Sequence, residues 1–496
     1  MSHRYSIRVP VEAQKQKWVS LLPILEELLP VRFNFSEDLT PETAGEILTG
    51  SAVAAEVGIG GSISSFAVPH EEIALGEEGL IEITVQFSDD SDVPFPFRGR
   101  TLRAKASKPS TLSLSVNERP LATCEQGPVW ACSERGGVKH FRSAFALPDV
   151  HTDTGFQDVL GSHRFLEMLP FVCWLQARRP SASSDAPSLR ACFIFDDPNL
   201  HWPHYGFVDY RKLSIHAERE NYHIAFATIP LDTWFTHSGT AAMFRELRSR
   251  LSLLIHGNNH TKGELGRRYT GAQRVFLLRQ AIQRIERLES RSGLAVSRAM
   301  VPPHGACSEE MLAALPICGF EAACISHGSL RAHNKSAAWA KTLGYRPYEI
   351  VRGCPVLPRW GFSGDVKNAI LLAAYLKQAI ILRGHHQDLK DGPKVLDDLA
   401  GFVNGLGSVK WMNMTDLVRS RCLGKSAQSQ QIVEDNGSIM KPSSGDVATL
   451  EAAGGARFEV TANQSGGIMP RLLADTSVSF IRRLLTEGRD RLSLVR

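Results

Sequence analysis

The chain has 496 residues, more than one domain usually contains, so the sequence predicts two or three domains. Its 56 lysine and arginine residues nearly balance its 52 acidic residues, for a formal net charge of +4. Because the basic excess is small and forms no block with interleaved aromatic residues, this composition predicts no nucleic-acid partner.

The first residues lack the apolar core of a signal peptide, and no segment has about 18 uninterrupted apolar residues. The nine cysteines include no Cys-x-x-Cys pair, and several of them lie in apolar runs. This distribution is typical of reduced core thiols rather than of disulfides or a zinc ribbon. The sequence therefore predicts a cytoplasmic protein without a membrane span.

Residues 1–180 are predicted to form an α/β or α+β accessory domain, whose function the sequence leaves open. The predicted elements are, in chain order, a helix over 14–29, strands over 31–35, 81–87 and 111–116, and a helix over 165–175. Gly58–Gly61 lacks the Lys-Ser or Lys-Thr of a phosphate-binding loop, so it is predicted to be a flexible turn. Residues 179–187, RPSASSDAP, have the composition of a linker.

The apolar run Ala191–Phe195 ends abruptly in two carboxylates, Asp196 and Asp197. A short β-prone run that stops at Asp-Asp-Pro predicts a buried strand whose carboxyl end carries charge to the edge of a sheet. Ligands bind at that edge in α/β sheets and barrels. Asp-Asp-Pro-Asn is also favourable in a simple turn, so this pair alone does not establish a site.

A second apolar run, Leu251–Ile255, ends at His256 and is followed by His260. Two histidines four residues apart lie on one face if the segment is helical, and this arrangement suits a shared metal ion. Solvated surface histidines are the usual alternative in a chain with 17 histidines.

Two later runs end in the same way. Val296–Gly305 is predicted to be a strand that leads into Pro302-Pro303-His304-Gly305, and Ala379–Asp388 closes on His385 and His386. The helices predicted between the runs cover 210–221 and 271–290, with a further strand over 222–228. Alternating strands and helices predict a sheet-and-helix barrel or a layered α/β fold, with the polar strand ends on a common edge.

Together these motifs resemble the polysaccharide deacetylase family, which has the NodB homology domain and is similar to carbohydrate esterase family 4. The matching segments are Asp196-Asp197 for the family's Asp-Asp, His256–His260 for its His-x-x-x-His, 301–305 for its Arg-Pro-Pro-Tyr-Gly, 358–360 for its Trp-containing motif, His385 or His386 for its last His motif, and 410–416 for its closing segment. The resemblance covers roughly residues 188–422.

The resemblance implies a deformed (β/α) barrel of the polysaccharide deacetylase type over residues 188–422. Residues 1–180 precede it, and residues 423–496 are expected to form a flexible segment and a small C-terminal extension. The extension has a β-like stretch over 456–461 and a helix-like stretch over 477–492. That helix is a candidate for packing on the N-terminal domain or on a second subunit, so a homo-oligomer stays open.

The resemblance also implies a hydrolase of carbon–nitrogen bonds that removes an N-acyl group, with acetyl as the leading candidate. A divalent metal ion, with zinc as the leading candidate, is expected to be held by Asp197, His256 and His260 and to activate a water molecule. Asp196 is expected to act as the general base. Successive side chains of a strand diverge, so the two aspartates are expected to have different roles.

The acid that protonates the leaving amine is expected to be His386 or His385, although both are also compatible with a surface turn. Backbone N–H groups around Pro303 and Gly305 are expected to stabilise the oxyanion. His304 stands where the family has a tyrosine, and it is a candidate for metal binding or proton transfer.

Two departures from the family pattern affect these expectations. Pro198-Asn199 replaces the usual Gly-Pro, which reshapes the substrate side of that loop. Val301 replaces the arginine that normally pairs with the catalytic carboxylate, so the assignment of the base requires Arg298 or Arg359 to take its place.

The expected substrate is an acylated sugar or a sugar-containing intracellular molecule. Trp202, Trp360 and Arg359 are candidate substrate contacts, although aromatic residues of this kind more often serve packing. Two alternatives stay open: an impaired, deacetylase-like protein that binds carbohydrate or acts as a scaffold, and an amidohydrolase that acts on a non-sugar amide.

Overall fold

The structure is a computed structural model, and the chain divides into two compact units, 1–267 with 278–426 and 268–277 with 427–496. The residues that it describes are 3–8, 21–29, 31–35, 43–49, 64–68, 80–110, 112–148, 155–161, 164–176, 188–362, 364–423, 447–452, 456–462 and 468–472. Among them, no helix combines the length and the apolar composition needed to cross a membrane. The eight cysteines whose side chains the structure describes form no disulfide.

The first part of the chain forms a nine-stranded mixed sheet. Its strands are β1 (His3–Arg8), β2 (Val31–Phe35), β3 (Thr43–Thr49), β4 (Ser64–Val68), β5 (Leu80–Phe87), β6 (Thr101–Ser107), β7 (Glu118–Cys124), β8 (Gly127–Arg135) and β9 (Val138–Ser143). Their order is β2-β1-β3-β4-β9-β8-β7-β5-β6. Along this order, the neighbours from β2 through β1, β3 and β4 to β9 are parallel. The neighbours from β9 through β8, β7 and β5 to β6 are antiparallel. This mixed pairing agrees with the predicted α/β or α+β character.

Several predicted elements of this region are confirmed, and one is wrong. The strands over 31–35 and 81–87 are present, and residues 21–28 (α1) form the described part of the first helix, whose residues 14–20 lie outside the described residues. The predicted strand over 111–116 is absent from its described residues. There, Glu118 Oε2 accepts the N–H of Ser115 at 2.8 Å, so a local side-chain bond replaces a strand partner.

Helix α3 (Phe165–Gln176) packs between this sheet and the rest of the unit, and it follows the short helix α2 (Phe156–Val159). The ring of Phe171 lies 5.2 Å from that of Phe66 in β4, and Cys173 Sγ lies 3.4 Å from the hydroxyl of Tyr375. Nearly all of its side chains are buried, as expected of a helix that is apolar on all faces.

A second, ten-stranded sheet curls into an open barrel. Its strands are β10 (Leu189–Asp196), β13 (Ile224–Thr228), β14 (Leu251–His256), β15 (Val296–Val301), β16 (Ala322–Cys324), β17 (Glu349–Val351), β18 (Cys354–Leu357), β19 (Trp360–Gly361), β20 (Ile380–Gly384) and β21 (Val409–Trp411). The order is β17-β18-β16-β15-β14-β13-β10-β20-β19, and β21 also pairs with β10. All neighbours are parallel except β17 and β18. The expected deformed (β/α) barrel is confirmed.

Helices follow most of these strands. They are α4 (Tyr210–Arg219), α5 (Ser238–Glu246), α6 (Gly271–Ser292), α7 (Glu309–Ile317), α8 (His327–His333), α9 (Val366–Tyr375), α10 (Lys394–Asn404) and α11 (Met414–Leu423), and the hairpin β11 (His204–Tyr205) and β12 (Val208–Asp209) precedes α4. The predicted helices over 210–221 and 271–290 and the strand over 222–228 are thus confirmed within two residues at each end.

The interior of the barrel is filled mainly by small side chains and closed by α11. Cys192 and Ile194 of β10 face this core, which also contains Met414 and Leu417 of α11. Because side chains alternate along a strand, the same face of β10 carries Asp196 at its carboxyl end. The core packing therefore orients the first carboxylate inward.

In the second unit, the strands β22 (Val447–Ala452), β23 (Ala456–Ala462) and β24 (Ile468–Leu472) form an antiparallel sheet. The predicted β-like stretch over 456–461 is confirmed by β23. The predicted turn at 58–61, linker over 179–187 and helix over 477–492 lie outside the described residues, as does most of the predicted flexible segment.

Candidate metal centre and active site

Asp196 is buried at the end of β10, where Arg359 Nη1 donates hydrogen bonds of 2.7 and 2.8 Å to its two carboxylate oxygens. Burial by itself raises the pKa of this carboxyl. The positive charge of Arg359 and the proximity of His256 outweigh burial, and the pKa of Asp196 lies below its usual value. Asp196 is therefore held ionised, the state that a general base needs.

Arg359 supplies the guanidinium that is missing at position 301. Val301 faces the barrel core, and Arg298 donates to Glu289 at 2.7 Å instead of reaching Asp196. Arg359 lies between β18 and β19, where the chain passes from one edge of the curled sheet to the other. Since Arg359 is buried and bonded to Asp196, its expected contact with substrate has no support in the structure.

Asp197 follows the strand with a φ of +73°, so its side chain leaves the alternation of β10. Its Oδ1 atom lies 3.2 Å from His256 Nε2 and 2.9 Å from His260 Nε2. The close approach of both imidazoles overcomes the effect of burial and holds the pKa of Asp197 well below its usual range. The two adjacent aspartates thus have separate partners.

The two histidines meet through a turn rather than along a helix, so the expectation of a shared helical face is wrong. His256 is the last residue of β14, and Gly257 and His260 have φ values of +60° and +57°. The two imidazole rings lie 4.9 Å apart between centroids. A glycine is required at 257 because a Cβ there would lie 2.5 Å from Pro303 Cγ.

The hydrogen bonding of His256 indicates that a cation belongs between these side chains. Its Nδ1 lies 2.9 Å from the carbonyl oxygen of Val301, which can only accept a hydrogen bond, so the ring proton is on Nδ1. In the neutral ring, the Nε2 lone pair then faces the carboxylate oxygen Asp197 Oδ1 at 3.2 Å, and two acceptors at this distance need a positive charge between them. The three ligand atoms lie within 4.8 Å of one another. This donor set of one carboxylate and two imidazoles fits a divalent metal ion.

Backbone strain is concentrated at the same place. Among the described residues, six other than glycine have a positive φ, and Asp197, His260 and His304 are three of them. Such conformations cost about 1–3 kcal/mol each and persist where the surrounding structure enforces them, which is often at functional sites.

A second group of potential ligands is formed by His216, Glu220 and Asp397, and here a ring proton rather than a metal ion can lie between the imidazole and the carboxylate. Burial raises the pKa of Tyr222, so its hydroxyl stays protonated, and this hydroxyl lies 2.6 Å from His216 Nδ1. His216 Nε2 can then carry the proton toward Asp397 Oδ1, 2.7 Å away, and Glu220 bonds to Arg219 at 2.5 Å. The cluster formed by Asp197, His256 and His260 is therefore the candidate metal centre.

The Pro-Pro-His-Gly segment forms a tight turn beside the metal centre. The exposed ring of His304 lies 4.9 Å from that of His260, and partial burial together with the nearby charge of His260 lowers its pKa. The N–H of Gly305 donates to the carbonyl of Pro302, and Pro303 has no N–H. The N–H of His304 is therefore the expected oxyanion donor of this turn that is still available to a ligand.

His385 and His386 have different surroundings. His385 is among the groups whose charge lowers the pKa of Asp196, and its backbone N–H donates to Asp388 Oδ2 at 2.7 Å. His386 packs between Tyr205 and Phe207 of the hairpin, at 5.2 and 5.8 Å between ring centroids. A Cβ on Gly206 would lie 2.3 Å from His386 Nδ1, so this histidine is covered by the hairpin.

The two tryptophans expected to contact substrate are placed differently. Trp202 is exposed on the loop after β10, whereas Trp360 is half-buried in β19. The neighbouring loops expose two further aromatic side chains, Phe207 and Trp234.

No protein-family model and no curated protein matches the sequence. Among solved structures, the carbohydrate deacetylase Agd3 is similar over 85% of this chain and 87% of its own, with 10% identity and a TM-score of 0.49. In fold, the chain resembles polysaccharide deacetylases. A family 4 carbohydrate esterase from Streptomyces lividans is similar over 46% of this chain and 93% of its own (10% identity, TM-score 0.29). A CE4 family pseudoenzyme from Bacillus anthracis is similar over 47% of this chain and 66% of its own (12% identity, TM-score 0.29).

Sequence reasoning missed two contributors to this candidate site. Tyr205 lies close enough to Asp197 for that charge, added to burial, to raise the pKa of the tyrosine hydroxyl. Glu264 binds the backbone of the turn between His256 and His260. Neither residue carries a signal in the sequence, because each reaches the site through a loop whose path local patterns do not determine.

Proposed function

We propose that this protein is a metal-dependent hydrolase that removes an N-acyl group, with acetyl as the leading candidate, from a sugar or sugar-containing substrate. The observation that carries the proposal is the convergence of Asp197, His256 and His260 beside an ionised Asp196. Aspartate and histidine ligands in this arrangement suit zinc, our leading candidate for the ion.

The ion supplies Lewis acidity when bound, because it lowers the pKa of a water molecule and polarises an acyl oxygen. Asp196 is the proposed general base, and Arg359 keeps its carboxylate ionised and oriented. Only one Arg359 nitrogen binds the carboxylate, so each carboxylate oxygen retains lone pairs for a proton.

His385 is the better candidate for the general acid, because its charge acts on Asp196 whereas His386 is packed under the hairpin. The N–H of His304 is the proposed oxyanion donor. The side chain of His304 is a candidate for proton transfer, because its ring centroid lies 4.9 Å from that of His260.

The aromatic side chains near the site support a sugar as the substrate. Trp202 and Trp360, together with the exposed Phe207 and Trp234, offer apolar ring faces near polar groups. An intracellular substrate, the cytoplasmic location and the domain division at 1–180, 188–422 and 423–496 stay predictions from the sequence.

The test is acetate release from N-acetylated glucosamine oligomers, measured on zinc-loaded protein with an Asp196→Asn variant beside it. We expect wild-type protein to release acetate and the variant to lose at least about 10²-fold in rate while still binding zinc. Zinc binding without acetate release, combined with turnover of simple N-acyl amides, would favour the non-sugar amidohydrolase. Protein that binds N-acetylated oligomers without metal or turnover would favour the carbohydrate-binding alternative.

A further inference from the structure

Glu264 binds the backbone of the turn that carries the two proposed histidine ligands. Its side chain is about 1% exposed. Oε1 accepts the N–H of Asn259 at 2.8 Å, and Oε2 accepts those of Asn258 and His260 at 2.9 and 3.3 Å. Three consecutive backbone N–H groups that converge on one carboxylate form an anion-binding nest, here filled by a side chain of the same chain.

A second set of contacts fixes this turn from helix α6. Arg284 Nη1 donates to the side-chain oxygens of Asn258 and Asn259, both at 2.6 Å, and Asn258 Nδ2 donates to Gln280 Oε1 at 2.7 Å. A Cβ on Gly257 would lie 2.5 Å from Glu264 Oε2, so the carboxylate approaches the backbone as closely as a glycine allows. The turn is thus built around the carboxylate.

The conformation of His260 explains why such support is needed. Its φ of +57° is unfavourable for a residue with a Cβ, and it must be held for the imidazole to face Asp197. The bonds from Glu264 satisfy the buried N–H groups of this conformation, which would otherwise lose their hydrogen bonds to water without replacement.

We propose that Glu264 is a positioning residue for the metal centre: it holds the strained turn that directs His260 toward Asp197, and so it sets the affinity and geometry of the site. This inference rests on the proposed metal-dependent function. Glu264 binds peptide N–H groups rather than the ion, so its effect passes through the backbone of the turn.

The experiment compares wild-type protein with Glu264→Gln. In this variant an amide N–H₂ replaces one of the two accepting oxygens, so a hydrogen-bond donor faces the backbone N–H donors of the turn. Glu246→Gln is the matched control, since that side chain is exposed on α5. The measurements are the Zn²⁺ dissociation constant by chelator competition, the visible spectrum of the Co²⁺-loaded protein, and thermal unfolding of the metal-free protein. We expect Glu264→Gln to weaken Zn²⁺ binding about 10- to 100-fold and to change the Co²⁺ spectrum, whereas Glu246→Gln matches wild type.

A folded Glu264→Gln variant with the wild-type Zn²⁺ affinity and Co²⁺ spectrum would overturn this inference and leave the proposed function intact. Wild-type protein that binds no Zn²⁺ would overturn both. If Glu264→Gln does not fold, Glu264→Asp replaces it: the charge is kept but the reach is one methylene shorter, so weaker Zn²⁺ binding is again expected, and unchanged binding overturns the inference.

Discussion

At the scale of single residues, the pair formed by Asp196 and Arg359 determines the protonation state on which the proposed chemistry depends. The carboxylate is buried, so without its partner the cost of burial would favour the neutral acid. The pair also contributes to folding, because a buried charge left alone is costly.

Replacing Arg359 with glutamine tests this dependence. The change removes the positive charge that offsets the effect of burial, so the pKa of Asp196 rises and the acid limb of the pH–rate profile moves to higher pH. Loss of one partner of a buried ion pair is also expected to lower stability by about 3–5 kcal/mol. The measurements are kcat against pH and urea unfolding. An unmoved acid limb would show that Arg359 does not control the base.

The two adjacent histidines, His385 and His386, give a second residue-scale prediction. We expect His385→Ala to lower kcat by about 10²-fold or more with a small change in KM, because a general acid acts in the transition state. His386→Ala should mainly lower stability, because it leaves a gap between Tyr205 and Phe207. Steady-state kinetics and thermal unfolding of both variants check this. The reverse pattern would assign the acid role to His386.

At the scale of elements, strand ends were predictable from the sequence and the turns after them were not. The apolar runs before Asp196, His256 and His385 identify strands because burial leaves a clear pattern. The spacing of His256 and His260 suggested a helix, yet the positive φ values at Gly257 and His260 make a turn, which periodicity does not encode. Arg298 and Arg359 were both candidates for the arginine that pairs with Asp196. Only the closure of the sheet shows that Arg359, 163 positions from Asp196, is the one that reaches it.

Helix α3 provides an element-scale prediction. Glu167 is fully buried on this helix, where it pairs with Arg164 at 2.7 Å and accepts the N–H of Ser107 in β6 at 2.8 Å. Glu167→Gln should destabilise the protein by about 3–5 kcal/mol, because the guanidinium of Arg164 stays buried without its carboxylate. The measurement is the urea midpoint, with the exposed Glu246→Gln as control. Equal midpoints would show that the pair adds no stability.

At the scale of the whole molecule, the barrel was predictable and its junction with the first sheet was not. Alternating strand and helix patterns indicate a barrel or a layered α/β fold, and the resemblance to polysaccharide deacetylases selects the barrel. The junction depends on contacts between distant residues, such as Asn368 Nδ2 with the carbonyl of Arg103 at 2.7 Å and the rings of Phe97 and Tyr375 at 6.1 Å. No local pattern encodes such pairs.

The stability of the molecule should fall as the pH drops below neutrality. Burial lowers the pKa of His223 from 6.5 to about 4, so the unfolded chain binds more protons than the folded one between those values. The contribution of the neutral His223 to the free energy of unfolding is therefore fully present above pH 6.5, and about 3 kcal/mol of it is lost by pH 4. Urea unfolding of wild type and His223→Gln between pH 7.5 and 4.5 checks this. A slope that is the same in both proteins would contradict the assignment to His223.

The central claim is that Asp197, His256 and His260 hold one divalent ion, and the most direct test is the zinc content of the purified protein. The protein is stripped with a chelator, reloaded with Zn²⁺, freed of excess metal and analysed by elemental analysis, beside His260→Ala and the matched control Asp397→Asn. We predict one equivalent per chain in wild type and in Asp397→Asn, and well below one in folded His260→Ala. Absence of zinc from wild type, or a full equivalent in His260→Ala, would contradict the account.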